Sequence, residues 1–198
     1  MSDERVGGGG PAGNTALLVM DVQRGIVGRF GDDHAYLQRL GTAIDAARAA
    51  GIPVIYVVVS FRTGHPEISA KNRTFAAVMA AGGFTHDDPA TEIHPDVAPQ
   101  PGDIVVTKRR VSAFTGSDLR VLLSGLEVGT LVLTGIATSG VVLSTLRQAA
   151  DLDYQLTVLS DGCLDADPEV HRVLTEKIFP RQADVRLIAD WNPAASLA

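Results

Sequence analysis

Three short segments of the sequence carry residue types that could do acid–base chemistry. Asp21 is the one charge in a strand-like apolar run, Lys108 follows a second such run, and the segment Gly135–Gly140 follows a third. A carboxyl group can carry a proton, an ammonium group stabilises negative charge, and backbone amides at a helix start can bind an oxyanion. Each has an ordinary alternative: Asp21 could cap a turn, Lys108 could lie on a solvated edge, and the glycine segment could be only a tight turn. Together they predict a site for proton transfer.

The elements that must position these segments alternate along the chain. Apolar, β-branched runs predict strands over 15–22, 54–60, 103–107, 130–134, 155–159 and 185–189. Helical spacing predicts helices over 35–50, after Ser117, over 139–152 and over 168–179, the last with Asp167 as its cap. This order predicts an α/β fold, a three-layer Rossmann-like sandwich whose mostly parallel sheet has helices on both faces. Because ligands bind at the carboxyl ends of such strands, the three segments should converge there.

The stretch 61–101 has no clear periodicity and many Gly, Pro, His and Asp residues. A structureless loop of about 40 residues is unusual, so we predict that it is functional or contains a short helix.

Composition limits the class of protein. With 198 residues, 45% hydrophobic and 20% charged, the chain fits one globular domain, predicted over 15–198 after a flexible tail at 1–14. The net charge of -6 argues against nucleic acid or an anionic membrane as a partner, and no apolar run is long enough to span a bilayer. The first residues lack the apolar core of a secretion signal, and the single cysteine, Cys163, excludes an intrachain disulfide. We therefore expect a cytoplasmic protein.

Several segments together resemble one known family. TALLVMDVQ, the strand end at Lys108 and LVLTGIATSGVVLSTLRQAADLDYQLTVLSDGC resemble the isochorismatase-like (cysteine hydrolase) superfamily, which includes nicotinamidases, N-carbamoyl amidohydrolases and isochorismatases. The resemblance covers nearly all of Thr15–Trp191. It implies a hydrolase that acts on a small-molecule substrate without a cofactor, and a homo-oligomer, a dimer or a tetramer.

The resemblance assigns catalytic positions, and one of them has changed. The family's aspartate falls on Asp21 and its lysine on Lys108, but the position of its nucleophilic cysteine falls on Val141. It also implies a cis peptide bond at Ile136–Ala137, which in relatives helps to form an oxyanion hole. Valine cannot be a nucleophile, and we expect Cys163, which lies after the next strand, to be a buried structural thiol.

A metal site is not expected. Metal-binding relatives carry an Asp-x-His-Pro run after the second strand, whereas residues 63–66 here read Thr-Gly-His-Pro. The remaining histidines have no ligand spacing.

Isochorismatases are the relatives that work without the cysteine, and they imply a role for the aspartate. Asp21 would protonate the carbon of an enol ether, water would attack the resulting oxocarbenium ion, and Lys108 would stabilise negative charge. Such an acid needs a raised pKa, which burial favours and the ammonium opposes; the sequence leaves the balance open.

Other residues are predicted to contact the substrate. Arg62 could anchor a substrate carboxylate, or could be a surface arginine. Phe30 and Phe114 could form apolar walls, or could belong to the core. The full predicted set comprises Gln23, Phe30, Arg62, Phe114, Ile136, Ala137 and Gly140.

Two alternatives stay open beside the cysteine-free hydrolase. One is a catalytically silent relative that binds a small molecule or a partner. The other is an amide hydrolase in which Asp21 activates water. The GIATS turn is closer to the amidase-like branch than to the GVYAH-like turn of isochorismatases, so the substrate is not fixed by the resemblance.

Overall fold

Six parallel strands form the sheet in a computed structural model that describes residues 14–31 and 33–193. The strands are β1 (Asn14–Met20), β2 (Val54–Val59), β3 (Ile104–Lys108), β4 (Val128–Ile136), β5 (Gln155–Leu164) and β6 (Asp184–Arg186). Their order across the sheet is β3-β2-β1-β4-β5-β6. The predicted tail lies outside the described residues, except Asn14, which begins β1.

Helices connect the strands. They are α1 (Arg24–Val27), α2 (His34–Ala49), α3 (Arg73–Ala81), α4 (Leu119–Gly125), α5 (Leu143–Ala150) and α6 (Pro168–Val173). In the described part of the chain, no helix is long and apolar enough to cross a membrane.

The core lies in two layers, one on each face of the sheet. Alternate residues of β1 face opposite sides: Leu17 and Val19 pack with α2 on one face, while Leu18 and Met20 pack with α4 and α5 on the other. Because both faces are covered, β1 and β2 read as near-continuous apolar runs. The predicted three-layer α/β fold is confirmed.

Element boundaries differ from the prediction near the ends of several elements. Strand β5 extends to Leu164 instead of ending at 159, while β6 ends at Arg186 and a 3-10 turn, Ile188–Asp190, follows it. The predicted helix 139–152 begins with a turn, Thr138–Val142, that is kinked at Gly140, where the backbone is not helical. The predicted helix 168–179 becomes π-helical at Leu174–Ile178.

Local capping explains where the helices begin. Asp167 caps α6 as predicted, since its carboxylate accepts hydrogen bonds from the N–H groups of Glu169 and Val170. At α4 the cap position is Asp118, while Ser117 accepts a long hydrogen bond of 3.4 Å from the N–H of Leu119. The short helix expected within 61–101 is α3.

Candidate active site

The predicted site lies at the topological switch point of the sheet, between β1 and β4. Strands β1 and β4 are neighbours, and the chain proceeds to opposite edges of the sheet from them, which opens a crevice at their carboxyl ends. A cavity of about 440 Å³ lies there, a volume suited to a small organic molecule. Asp21 from the end of β1, Lys108 from β3 and Val141 from the turn after β4 all line it.

The backbone holds Asp21 in an unusual conformation. Its N–H donates to the carbonyl of Val57 at 2.8 Å, and its φ of 58° lies in the left-handed region, which aspartate tolerates better than most residues. Beside it, Gly135 has a φ of 139°, and a Cβ there would lie 2.2 Å from the carbonyl oxygen of Met20. Glycine is therefore required for β4 to pass so close to the end of β1.

Asp21 and Lys108 form a buried ion pair. Strand β2 separates their strands, so about 9–10 Å of sheet must be bridged, which needs a long side chain. The Lys108 Nζ lies 2.9 Å from Asp21 Oδ2, and the two side chains are 2% and 9% exposed. Lys108 also donates to the carbonyl of Arg110 at 3.0 Å, which orients the ammonium group.

The second carboxylate oxygen, Asp21 Oδ1, is buried and has no hydrogen-bond partner among the residues that the structure describes. Burial raises the pKa of Asp21, and the neighbouring Lys108 ammonium lowers that pKa by less. The balance that the sequence left open therefore favours a carboxyl group that holds its proton at higher pH than usual. Such a group can act as a general acid.

The turn after β4 presents an apolar side chain, Val141, at the position that the resemblance assigns to the nucleophilic cysteine. The peptide bond Ile136–Ala137 is cis, as the resemblance implied. Val141 is 2% exposed and lines the cavity with Ile136, Ala137 and Gly140.

Two contacts from α6 and its preceding loop hold this turn. The N–H of Ser139 donates to the carboxylate of Asp165 at 2.7 Å, and Thr138 Oγ1 lies 2.8 Å from His171 Nδ1. Burial lowers the pKa of His171, which favours the neutral ring.

Cys163 lies in β5, away from the cavity lining. Its thiol is buried in the core with its Sγ 3.9 Å from the carbonyl oxygen of Leu133. Burial raises its pKa to about 12, so the thiol keeps its proton and is a poor nucleophile.

The cavity walls are mostly apolar and aromatic. Phe30, predicted as a wall, does line the cavity. The remaining wall residues are Ile26, Val59, Phe61, Phe75, Val78, Phe84, Val111 and Ala166, with Arg29 and Thr74 as polar members. Arg29 and the phenylalanines of 61–84 were not predicted from the sequence as lining residues. The one signal for the phenylalanines was their position in a stretch too long to be a simple connecting loop.

Gln23 was predicted to contact substrate, but the structure does not place it in the cavity lining. Its buried amide exchanges two hydrogen bonds of 2.9 Å with the backbone of Val59 and donates to the carbonyl of Thr91 at 2.8 Å. It ties the segment after β1 to β2 and to the long loop.

Arg62 and Phe114 also lie outside the lining. Arg62 is exposed and pairs with Glu67 at 2.5 Å, so it is engaged at the surface. Phe114 packs in the core and stacks on Tyr154 with ring centroids 6.0 Å apart. Both positions agree with the ordinary alternatives, a surface arginine and a core phenylalanine.

No metal centre is formed by the described residues: within 14–31 and 33–193, no three His, Cys, Asp or Glu side chains are grouped to hold an ion. His65, in the Thr-Gly-His-Pro run, donates from Nε2 to the carbonyl of Gly83 at 2.8 Å.

Comparison with known proteins gives one consistent result. The profile of the Isochorismatase domain matches residues 15–190. An uncharacterized isochorismatase family protein, YecD from Escherichia coli O157:H7, is 33% identical over 187 residues, which cover 90% of this chain and 95% of that protein. The ureidoacrylate amidohydrolase RutB of Stutzerimonas stutzeri is 31% identical, covering 80% of this chain and 73% of that protein. A cysteine hydrolase from Pseudomonas syringae pv. phaseolicola shares the fold with a TM-score of 0.84 at 24% identity, covering 93% and 94% of the two chains.

Proposed function

Since the chain belongs to the isochorismatase family of hydrolases, we propose that it hydrolyses a small organic molecule without a thiol nucleophile. Asp21 carries the proton and Lys108 is its charge partner. The observation that supports this most is a buried carboxyl group of raised pKa, with one oxygen unpartnered among the described residues, lining a cavity that has Val141 at the nucleophile position.

An enol ether such as isochorismate is the nearest substrate model. Protonated Asp21 gives its proton to the terminal enol carbon, and the ether-bearing carbon becomes an oxocarbenium ion. Water adds to that carbon, and the hemiketal breaks its bond to the leaving alcohol, which yields an alcohol and a ketone. The proton lost by the water returns to Asp21, so one water is consumed per turnover.

The buried pair of Asp21 and Lys108 favours both protonation states that the reaction needs. Before the transfer, burial favours the neutral carboxyl form. After it, the new carboxylate lies 2.9 Å from the Lys108 ammonium, which stabilises the negative charge. A carboxyl group without that partner would be a weaker acid in so buried a place.

Amide hydrolysis is the second candidate, because the RutB proteins of two bacteria are named ureidoacrylate amidohydrolases. In that reaction ionised Asp21 would accept a proton from water as the water attacks the amide carbonyl. The two roles require opposite protonation states of Asp21. Activity should therefore fall with rising pH for the acid role and rise with pH for the base role.

Direct turnover tests the proposal. The purified protein and a Val141→Cys variant are incubated with isochorismate, a simple enol ether, ureidoacrylate, nicotinamide and an N-carbamoyl amine, and products are identified by mass spectrometry. We expect the wild type to cleave the enol ethers; cleavage of amides alone supports the second candidate. An inert wild type and an amidase-active Val141→Cys variant would show a cysteine hydrolase that has lost its nucleophile, and would contradict the proposal. The homo-oligomeric state and the cytoplasmic location stay predictions from the sequence.

A further inference from the structure

The charges around the cavity do not cancel. Three residues of its lining are charged: Asp21, Lys108 and Arg29. The first two compensate each other as an ion pair at 2.9 Å. Arg29 leaves the cavity with a net positive charge, and protonation of Asp21 would make it more positive.

Arg29 has no acidic partner among residues 14–31 and 33–193. It lies in the 3-10 turn Gly28–Phe30 that follows α1, and its side chain is exposed at the cavity. Its guanidinium carbon lies 5.4 Å from the centre of the Phe84 ring, a cation–π contact that holds the group over the aromatic wall. Arg24, five residues earlier, differs because it pairs with Glu92 at 2.9 Å.

We propose that Arg29 determines specificity by binding one carboxylate of a substrate whose apolar body lies against Phe61, Phe75 and Phe84. A guanidinium group binds a carboxylate with two parallel hydrogen bonds, and its stacking on a ring leaves the edge donors available. One arginine beside an otherwise apolar wall suits a single carboxylate better than a phosphate, which carries more charge and needs more donors. This substrate class rests on the proposed function, and it assigns to Arg29 the role predicted for Arg62.

Binding of matched acid and amide probes tests this assignment without requiring turnover. Calorimetry compares trans-cinnamate with cinnamamide, and cyclohexanecarboxylate with its amide, on the wild type at low ionic strength. We expect each acid to bind at least about tenfold more tightly than its amide, as a charge-assisted hydrogen-bonded pair allows. Arg29→Met should remove that preference and Arg29→Lys should keep part of it, since lysine keeps the charge but not the paired geometry.

The matched control is Arg24→Met, which removes an arginine of the same segment that is outside the cavity lining and should leave the preference unchanged. Circular dichroism verifies that each variant is folded, and Arg29→Lys serves if Arg29→Met is not. A preference that persists in folded Arg29→Met would place the carboxylate on Lys108 and overturn the assignment. A wild type that binds no acid more tightly than its amide would overturn it too. A wild type that binds the acids through Arg29 but hydrolyses none of the candidate substrates contradicts the proposed function alone.

Discussion

Two ion pairs of nearly equal length behave in opposite ways. On α6, Arg172 lies 2.7 Å from Glu169, with side chains 42% and 66% exposed. In the cavity, Lys108 lies 2.9 Å from Asp21, with side chains 2% and 9% exposed. The hydrogen bond from Arg172 lowers the pKa of Glu169, whereas burial raises the pKa of Asp21 in spite of its cation.

The contrast indicates that burial, and not the distance to the cation, sets the direction in which the pKa of a paired carboxyl group shifts here. At the surface, water solvates both charged forms, so the partner only adds to their stability. In the cavity the charged form loses its solvation, and the partner offsets only part of that loss. A carboxylate paired with a cation is therefore a surface contact on α6, whereas in the proposed mechanism it is the proton carrier of the cavity.

The largest effect is expected from removing the proton carrier. Asp21→Asn keeps the shape of the side chain but cannot donate a proton, so kcat should fall by roughly 10²–10⁴-fold. Steady-state kinetics on the substrate identified by the turnover panel measures this. Glu169→Gln, the matched change in the exposed pair, should leave kcat unchanged; equal losses in the two variants would refute the distinction between the pairs.

Removing the buried cation should be the most destabilising change. Lys108→Met leaves Asp21 without its partner in a buried place, which costs about 3–5 kcal/mol in typical buried pairs. Urea unfolding at neutral pH measures the loss. Because Asp21 can escape part of this cost by taking up a proton, the loss should shrink as the pH is lowered. A loss that is constant with pH would contradict the account of the pair.

The pH dependence of stability follows from the raised pKa of Asp21. Between the unfolded pKa, close to 3.8, and the higher folded value, the native state binds more protons than the unfolded chain. The free energy of unfolding contributed by Asp21 therefore decreases as pH rises through that window. Unfolding curves of wild type and Asp21→Asn at a series of pH values isolate this contribution. The wild type should lose stability relative to the variant with rising pH, and a relative gain would mean that the ion pair outweighs burial.

The smallest effect is expected at the exposed pair. Arg172→Met removes contacts to Glu169 and to Glu176, the latter at 2.8 Å, but both carboxylates remain solvated. The midpoint of thermal unfolding should match that of the wild type. A clear drop in that midpoint would show that the surface pairs carry more of the stability than their exposure suggests.

Much of the framework could be predicted from the sequence, for local reasons. Buried parallel strands appear in the sequence as apolar runs. Because Asp21 and Lys108 each follow such a run, both were predicted at the carboxyl edge of the sheet, where the structure places them in contact. The resemblance located the cis bond at Ile136–Ala137 and the valine in the cysteine position. These features depend on short segments and on the order of the elements.

The cavity wall could not be predicted, because tertiary placement decides it. Gln23 and Phe114 have side chains suited to contact a substrate. However, Gln23 is hydrogen-bonded to the backbone of β2, and Phe114 packs in the hydrophobic core. Phe75 and Phe84 lie in a stretch without hydrophobic periodicity, so no sequence pattern predicted that they line the cavity. The raised pKa of Asp21 depends on its burial, which the tertiary packing also decides.

A chain without any thiol tests the central claim most directly. Cys163 is the single cysteine of the sequence, so Cys163→Ser leaves the chain without a thiol. Turnover of the identified substrate is measured for this variant and for Asp21→Asn in the same background, with circular dichroism to verify folding. The account predicts that the thiol-free protein keeps the turnover of the wild type and that the added Asp21→Asn change abolishes it. A folded Cys163→Ser protein without activity would contradict the account, because it would make the buried thiol essential.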